Sequence, residues 1–361
     1  MVAFQDISIF QFKNYPAQQF HFDERIVCIC GKNGIGKTNL LDAIYYLCFS
    51  KSYFTRNDQL NVYKGLQGFR IDAKLLWQSE PAQVTCILRE TGKKELQWNQ
   101  QPYEKFALHI GKLPCVIIAP DDIALITEGS EERRKFLDGM IAQINPVYLQ
   151  NLLDYNKIIQ QRNSLLKSLT PHQPVPHDLI DVYDNQLIPL GDAIFKVRNT
   201  FLADLLPKVG GFYQEIAQVD EPVTLQYQSS LHTRPMGEIL QNNRQKDIHL
   251  QRTNGGIHKD DLQFSMFDQP FKQIASQGQR KSLLFALKLA EFEILRENKG
   301  FSPILLMDDV FEKLDEHRMH HLLQWVCKQQ ESNIFITDTH VERIKTHFNQ
   351  LNQTVQIIKL D

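Results

Sequence analysis

The stretch GKNGIGKT, residues 31–38, limits what this chain can fold into more than any other. Its spacing is Gly31-x-x-x-x-Gly36-Lys37-Thr38. It directly follows the apolar run RIVCIC and directly precedes NLLDAIYYLC, where Leu40, Leu41, Ile44, Leu47 and Cys48 share one helical face. Strand, glycine-rich loop and helix in that order make a phosphate cradle. Gly31, Gly34 and Gly36 permit a tight turn, so the backbone through Lys32, Asn33 and Ile35 can wrap a β-phosphate with its amides. Lys37 reaches the β- and γ-phosphates, and the Thr38 hydroxyl is a ligand for Mg²⁺. The nucleotide expected here is ATP. A continuous apolar strand feeding the loop implies a parallel sheet covered on both faces.

A second half of the site is written near the other end. PILLMDD reads as a buried strand delivering Asp308 to its end beside the loop, where it holds Mg²⁺ through water. Asp309 follows, placed to polarise the water that attacks the γ-phosphate. Leu314 and Asp315 form an acidic turn six residues further on. About thirty residues before the aspartates, SQGQ (Ser276, Gln277, Gly278, Gln279) opens a helix after Gly278. This order is shared by transporter-type (ABC) ATPases and SMC-like chromosome proteins. In that architecture Ser276, Gln277, Gly278, Gln279 and Asp315 grip the nucleotide held by another subunit, so an ATP-dependent homodimer is expected. After the strand NIFIT stands Asp338, where transporter ATPases place a phosphate-sensing histidine, with His340 two residues later.

The fold class expected is α/β, an ABC/SMC-type P-loop ATPase head split by a helical arm insertion. Residues 1–126 carry the first part of the ATPase domain and 127–251 a mainly helical arm. Residues 252–361 carry the signature, the aspartate pair and the Leu-Asp turn. Within the arm, SEERRKFLDGMIAQINP and VYLQNLLDYNKIIQQRNSLLKSL read as helices divided at Pro146, with Ser130 as N-cap of the first. The chain has 361 residues and a formal net charge of -2, so any DNA contact must come from a local basic surface. No run has the form of a signal peptide or a membrane span, which points to the cytoplasm. The six cysteines form no C-x-x-C pair, and His172 and His177 lack partners at ligand spacing.

The whole chain resembles the RecF family of bacterial recombination-repair ATPases. The blocks that carry the resemblance are GKNGIGKTNLLDAIYYLCFSKSY, PDDIALITEGSEERRKFLD, GGIHKDDL, SQGQRKSL and LLMDDVFEKLD. Ile257 and Lys259 stand where that family usually has proline and arginine. The resemblance implies ATP and Mg²⁺ as cofactors, slow DNA-dependent hydrolysis, binding of single-stranded and duplex DNA including gapped junctions, and RecR and RecO as partners.

KSYFTR combines Lys51 and Arg56 with Tyr53 and Phe54, a composition that can hold nucleic acid. Read from the residues alone, SEERRKFLD is foremost a helix start, with Glu131 and Glu132 in its first turn and Phe136 and Leu137 packing inward. Two other readings fit less well. A transporter's nucleotide-binding subunit places its signature much nearer the P-loop, and a structural chromosome protein needs long heptads that Pro146, Pro171, Pro174, Pro176 and Pro189 break.

Overall fold

The computed structural model describes residues 1–170, 174–217, 223–310, 316–329, 331 and 333–361, together with all their side chains except those of 316 and 317. His172, Leu314 and Asp315 lie outside the described residues. The chain divides into two compact units. The first holds Met1–Ile123, a short stretch of helix from Phe212, and Gln277–Asp361; the second holds Ala124–Gly211 and the stretch that ends at Ser276.

The first unit opens with β1 (Val2–Phe12), β2 (Tyr15–His21) and β3 (Ile26–Cys30), followed by α1 (Lys37–Phe49). Then come β4 (Phe69–Trp77), β5 (Glu80–Leu88), β6 (Lys94–Trp98), β7 (Gln101–Pro102) and β8 (Cys115–Ile118). One sheet has the order β2-β1-β4-β5-β6-β7, with every neighbouring pair antiparallel. In β4 alternate residues Phe69, Ile71, Ala73 and Leu75 are buried, the period-two pattern of a half-covered strand. In β3 all five residues are buried, as a parallel strand covered on both faces requires. Cys28 and Cys30 therefore both serve as packing groups in β3.

The second unit contains α2 (Ala124–Thr127), α3 (Ser130–Ile144), α4 (Pro146–Ser168) and most of α5 (His177–Ala217). It continues with β9 (Val223–Gln228), α6 (Met236–Leu250), β10 (Asp261–Met266), β11 (Gln269–Pro270) and α7 (Phe271–Ile274). The chain re-enters the first unit with α8 (Gln277–Lys299), β12 (Ile304–Met307), α9 (Glu316–Lys328), β13 (Ile334–Asp338), α10 (Val341–Gln350) and β14 (Gln356–Lys359). The order β14-β3-β13-β12-β8 makes a parallel sheet from both ends of the chain.

Several local expectations shift. The apolar face read on α1 extends right round it, since Leu40, Leu41 and the whole run from Ala43 to Phe49 are buried. The helix touches strands of both large sheets, and a helix covered on every side shows no one-sided pattern. Ser130 is the first helical residue rather than the cap; Gly129 precedes it without a side-chain bond. At the next break Asn145 caps α4 by accepting from Tyr148 N at 2.9 Å, with Pro146 in the first turn. Residues 252–276 belong to the second unit instead of the C-terminal part, because β10 pairs antiparallel with β9. As the helical reading of this stretch expects, α5 continues past Pro189, and it runs through Pro207 as well despite two missing amide donors.

Two histidines, buried His109 and half-buried His258, lend the fold a pH dependence. His109 Nε2 bonds Leu47 O at 2.7 Å near the end of α1, and burial lowers its pKa from 6.5 to about 4. His258, between Tyr155 Oη at 2.8 Å and Thr253 O at 3.1 Å, is lowered by burial to about 4 as well. Each imidazole is neutral when folded and binds a proton more readily when unfolded. The resulting stability is fully present above pH 6.5 and is lost as pH falls through about 4, by up to ~3 kcal/mol per histidine. Denaturant midpoints measured across that window should fall steadily, and His109→Gln should flatten part of the fall.

Candidate functional site

The loop of residues 31–38 is pinned from three sides. Gly31 N donates to Asp338 O at 3.3 Å, joining the loop to the end of β13. A Cβ on Gly31 would lie 2.7 Å from Leu360 O, just past β14. On the third side the turn between β1 and β2 closes down. Asn14 Nδ2 donates to Ile35 O at 2.8 Å, and Tyr15 Oη donates to Gly36 O at 2.9 Å. Gly36 has φ +121°, and a Cβ there would meet Asn14 and Tyr15 at 2.6–2.9 Å, so only glycine fits. Gly34 also has positive φ but faces open space. Lys37 is almost fully buried and folds back on its own loop, donating to Gly31 O at 2.9 Å, Lys32 O at 3.2 Å and Asn33 Oδ1 at 3.5 Å. These acceptors hold the ammonium inside the loop, where phosphate oxygens would replace them.

Asp308 lies where the strand reading put it, directly after β12. Its carboxylate accepts from Thr38 Oγ1 at 2.9 and 3.0 Å and from Thr337 Oγ1 at 2.8 Å. Burial raises the Asp308 pKa above the ordinary carboxylate value, and the nearby Asp309 charge adds to this. The two hydroxyl donors and Lys37 act in the opposite direction. A hydroxyl and a carboxylate converging at this distance form the hard-oxygen set that suits Mg²⁺, so Thr38 and Asp308 fit the ion. Bound there, Mg²⁺ would offset the charge on the phosphates.

Asp309 has φ 45°, the left-handed region that non-glycine residues seldom adopt. Its amide donates to Thr337 Oγ1 at 2.9 Å, which holds the strained backbone in place. Strain of this kind gathers at functional sites. The Asp338 carboxylate is occupied otherwise: Arg343 forks onto it at 2.8–3.1 Å, and His340 N donates to it at 2.6 Å. Strand alternation puts Asp338 and Thr337 on opposite faces of β13. Thr337, not Asp338, therefore reaches the aspartate pair, while His340 is an exposed N-cap of α10.

The signature residues straddle the junction of units. Exposed Ser276 ends the second unit, and exposed Gln277 begins α8 in the first. The helix thus starts before Gly278 rather than after it. A Cβ on Gly278 would lie 2.6 Å from an Arg318 guanidinium nitrogen, so a larger residue there would push the arginine head aside. Gln279 sits half-buried in the same turn. In KSYFTR the aromatic rings turn inward. Tyr53 packs edge-on against Tyr45 at 5.0 Å and donates its hydroxyl to Asp122, while buried Asp42 accepts from Ser52 Oγ and Tyr53 N. Lys51 and Arg56 remain exposed without the interleaved rings.

Asn14, Tyr15 and Thr337 are the site residues that sequence reading missed. The signal for Thr337 was its place one residue from the end of a strand adjoining β12. Asn14 and Tyr15 sit in a turn that no spacing rule connects to the loop.

The parallel sheet, the cradle and the strand-end aspartates define a P-loop ATPase head of the ABC/SMC type. The family model described as RecF/RecN/SMC N terminal domain matches residues 3–359. The DNA replication and repair protein RecF of Flavobacterium johnsoniae is 44% identical over 354 residues, covering 98% of this chain and 99% of that one. RecF of Cytophaga hutchinsonii is 37% identical, covering 99% and 94%. A solved structure of the recombination mediator protein RecF-ATP in the RecFOR pathway superposes with a TM-score of 0.87 at 29% identity, over 94% of this chain and 92% of its own. The Smc head domain of Pyrococcus furiosus shares the fold, with a TM-score of 0.56 at 12% identity over 96% and 92%. The chain belongs to the RecF family.

Thr337 should be worth more than a surface threonine. Thr337→Val would strip Asp308 of one donor and the Asp309 amide of its acceptor, costing about 1–3 kcal/mol. Thr337→Ser should retain most of that stability, and chemical denaturation of both variants checks it.

Proposed function

We propose that this chain is an ATPase of recombinational DNA repair and replication-gap processing, which uses ATP mainly as a switch. The observation that carries the reading is the convergence of Lys37, Thr38, Asp308 and left-handed Asp309 at one loop mouth. In this reading the amides of residues 31–38 hold the β-phosphate, and Lys37 leaves its loop carbonyls for the β- and γ-phosphates. Thr38 and Asp308 hold Mg²⁺, and Asp309 orients the attacking water. Membership of the RecF family favours DNA repair over a transporter subunit or a structural chromosome protein. The RecFOR pathway of the solved relative supports DNA as partner, with RecR and RecO as the mediators implied.

Closure of the site is proposed to need a second copy. Ser276, Gln277, Gly278 and Gln279 stand at the start of α8, and a helix N-terminus favours an anion such as a γ-phosphate. Asp315 would join them from the acidic turn. Each interface then combines one loop with one signature, and ATP joins a two-fold dimer. DNA binding by this near-neutral chain is proposed to strengthen in the dimer, where two local basic faces follow one backbone.

Hydrolysis should be slow, well below the roughly 1–100 s⁻¹ typical of kinases, because the Asp309 carboxylate is one methylene shorter than the glutamate of transporter ATPases. Rapid steady-state turnover by the protein alone would rule this out. Lys37→Ala should weaken nucleotide binding, and Asp309→Asn should bind ATP but hydrolyse it poorly. Ser276→Arg should keep monomer ATP affinity and lose ATP-induced dimers. Mixed with Lys37→Ala, it should regain one working site per heterodimer, because both defects fall at the same interface. Sedimentation with ATP reads the outcome, and an unchanged dimer in Ser276→Arg sinks the shared-site reading.

A further inference from the structure

Two motifs stand apart from the nucleotide site, residues 130–138 (SEERRKFLD) and 255–262 (GGIHKDDL). Both lie in the second unit, where they meet. Four acids lie in or beside the segment of residues 252–261, and each is taken by a buried or nearly buried arginine. Asp138 and Asp260 pair with Arg198 at 2.8 and 3.2 Å. Asp247 pairs with Arg162 at 2.8 Å, and Asp261 receives the Arg133 fork at 2.7 and 3.1 Å. Removing either partner of such a pair would strand a buried charge, so these acids are committed inward.

The cations beside them have no such partner. Among the described residues, Arg134, Arg252 and Lys259 form no ion pair; Arg252 and Lys259 are exposed and Arg134 is half-buried. Arg134 Nη1 donates to Asp260 O at 2.6 Å, which fixes its guanidinium on the carbonyl of the residue that follows Lys259. His258 Nε2 donates to Thr253 O at 3.1 Å, so the segment between Arg252 and Lys259 closes on itself. Partial desolvation and the neighbouring positive charges of Arg252 and Arg134 lower the Lys259 pKa, against the opposing charge of Asp247.

The segment is also rigid. Thr253 N donates to Asn163 Oδ1 at 2.7 Å, and Arg198 Nη1 donates to Ile257 O at 2.8 Å. Gly256 has φ +119°, with Tyr155 Oη 2.7 Å from where its Cβ would be. A fixed loop bearing unneutralised cations loses little freedom on meeting an anion. A lysine acts there as a point charge, which needs no bidentate geometry.

We propose that Arg134, Arg252 and Lys259 form a contact site for the phosphodiester backbone of DNA. It rests on the DNA-binding function proposed above and locates part of the local basic surface on the second unit. Contacts of this kind position DNA and do not read its sequence.

The test is the salt dependence of duplex binding with ATP present, for the wild type and for Arg252→Gln/Lys259→Gln. Each lost phosphate contact lowers the slope of log affinity against log salt by about 0.9, so the double variant, which loses two contacts in each protomer of the ATP-joined dimer, should fall by about 3.6. Lys259→Arg should keep the wild-type slope. ATP affinity, ATP-induced dimerisation and the melting midpoint should be unchanged. If the wild type binds DNA and the double variant has the same slope, the surface lies elsewhere and this inference is wrong while the function stands. A loss of ATP affinity equal to the loss of DNA affinity would make the patch a triphosphate site and overturn it. A wild type that binds no DNA would remove the function reading and this site together.

Discussion

The Asp308 carboxylate is the constraint on which the site depends. It receives Thr38 from the first residues of α1 and Thr337 from the end of β13, so one buried charge joins three segments far apart in sequence. Burial works against that charge, and the two hydroxyls together with Lys37 make it tolerable. Thr337 then passes the constraint on, accepting from the Asp309 amide and fixing its left-handed backbone. The cradle and the proposed water-orienting group are thereby set by one short chain of hydrogen bonds.

The same logic governs the second unit with the signs reversed. There Arg162 and Arg198, fully buried, each gather acids from distant segments. Arg198 brings α3, α5 and the turn before β10 together, while Arg162 brings α4, α5 and α6 together. Such hubs cost desolvation, and their use is to fix one arrangement of the backbone. The segment of residues 252–261 is the part they fix most tightly.

The sequence made the cradle and the aspartate pair legible because their chemistry requires fixed residue types at fixed spacing. Gly31, Gly36, Lys37, Thr38 and Asp308 all belong to contiguous patterns, each with a strand or helix beside it. What stayed hidden was long-range. Asn14 and Tyr15 touch the loop through a turn from the opposite sheet, and only packing relates that turn to Gly36. The extent of α1 burial was hidden too, because tyrosines and a buried aspartate interrupt its apolar pattern. The grouping of residues 252–276 with the second unit follows from the pairing of β9 with β10, and strand pairing leaves little trace in a single sequence.

Thr38 and Asp308 are proposed to hold the metal of a bound nucleotide. Calorimetric titration of ATP with and without Mg²⁺, on the wild type and on Asp308→Asn, tests it most directly. Mg²⁺ should tighten ATP binding in the wild type, and Asp308→Asn should lose this increment while still binding metal-free ATP. Equal tightening by Mg²⁺ in both proteins would contradict it.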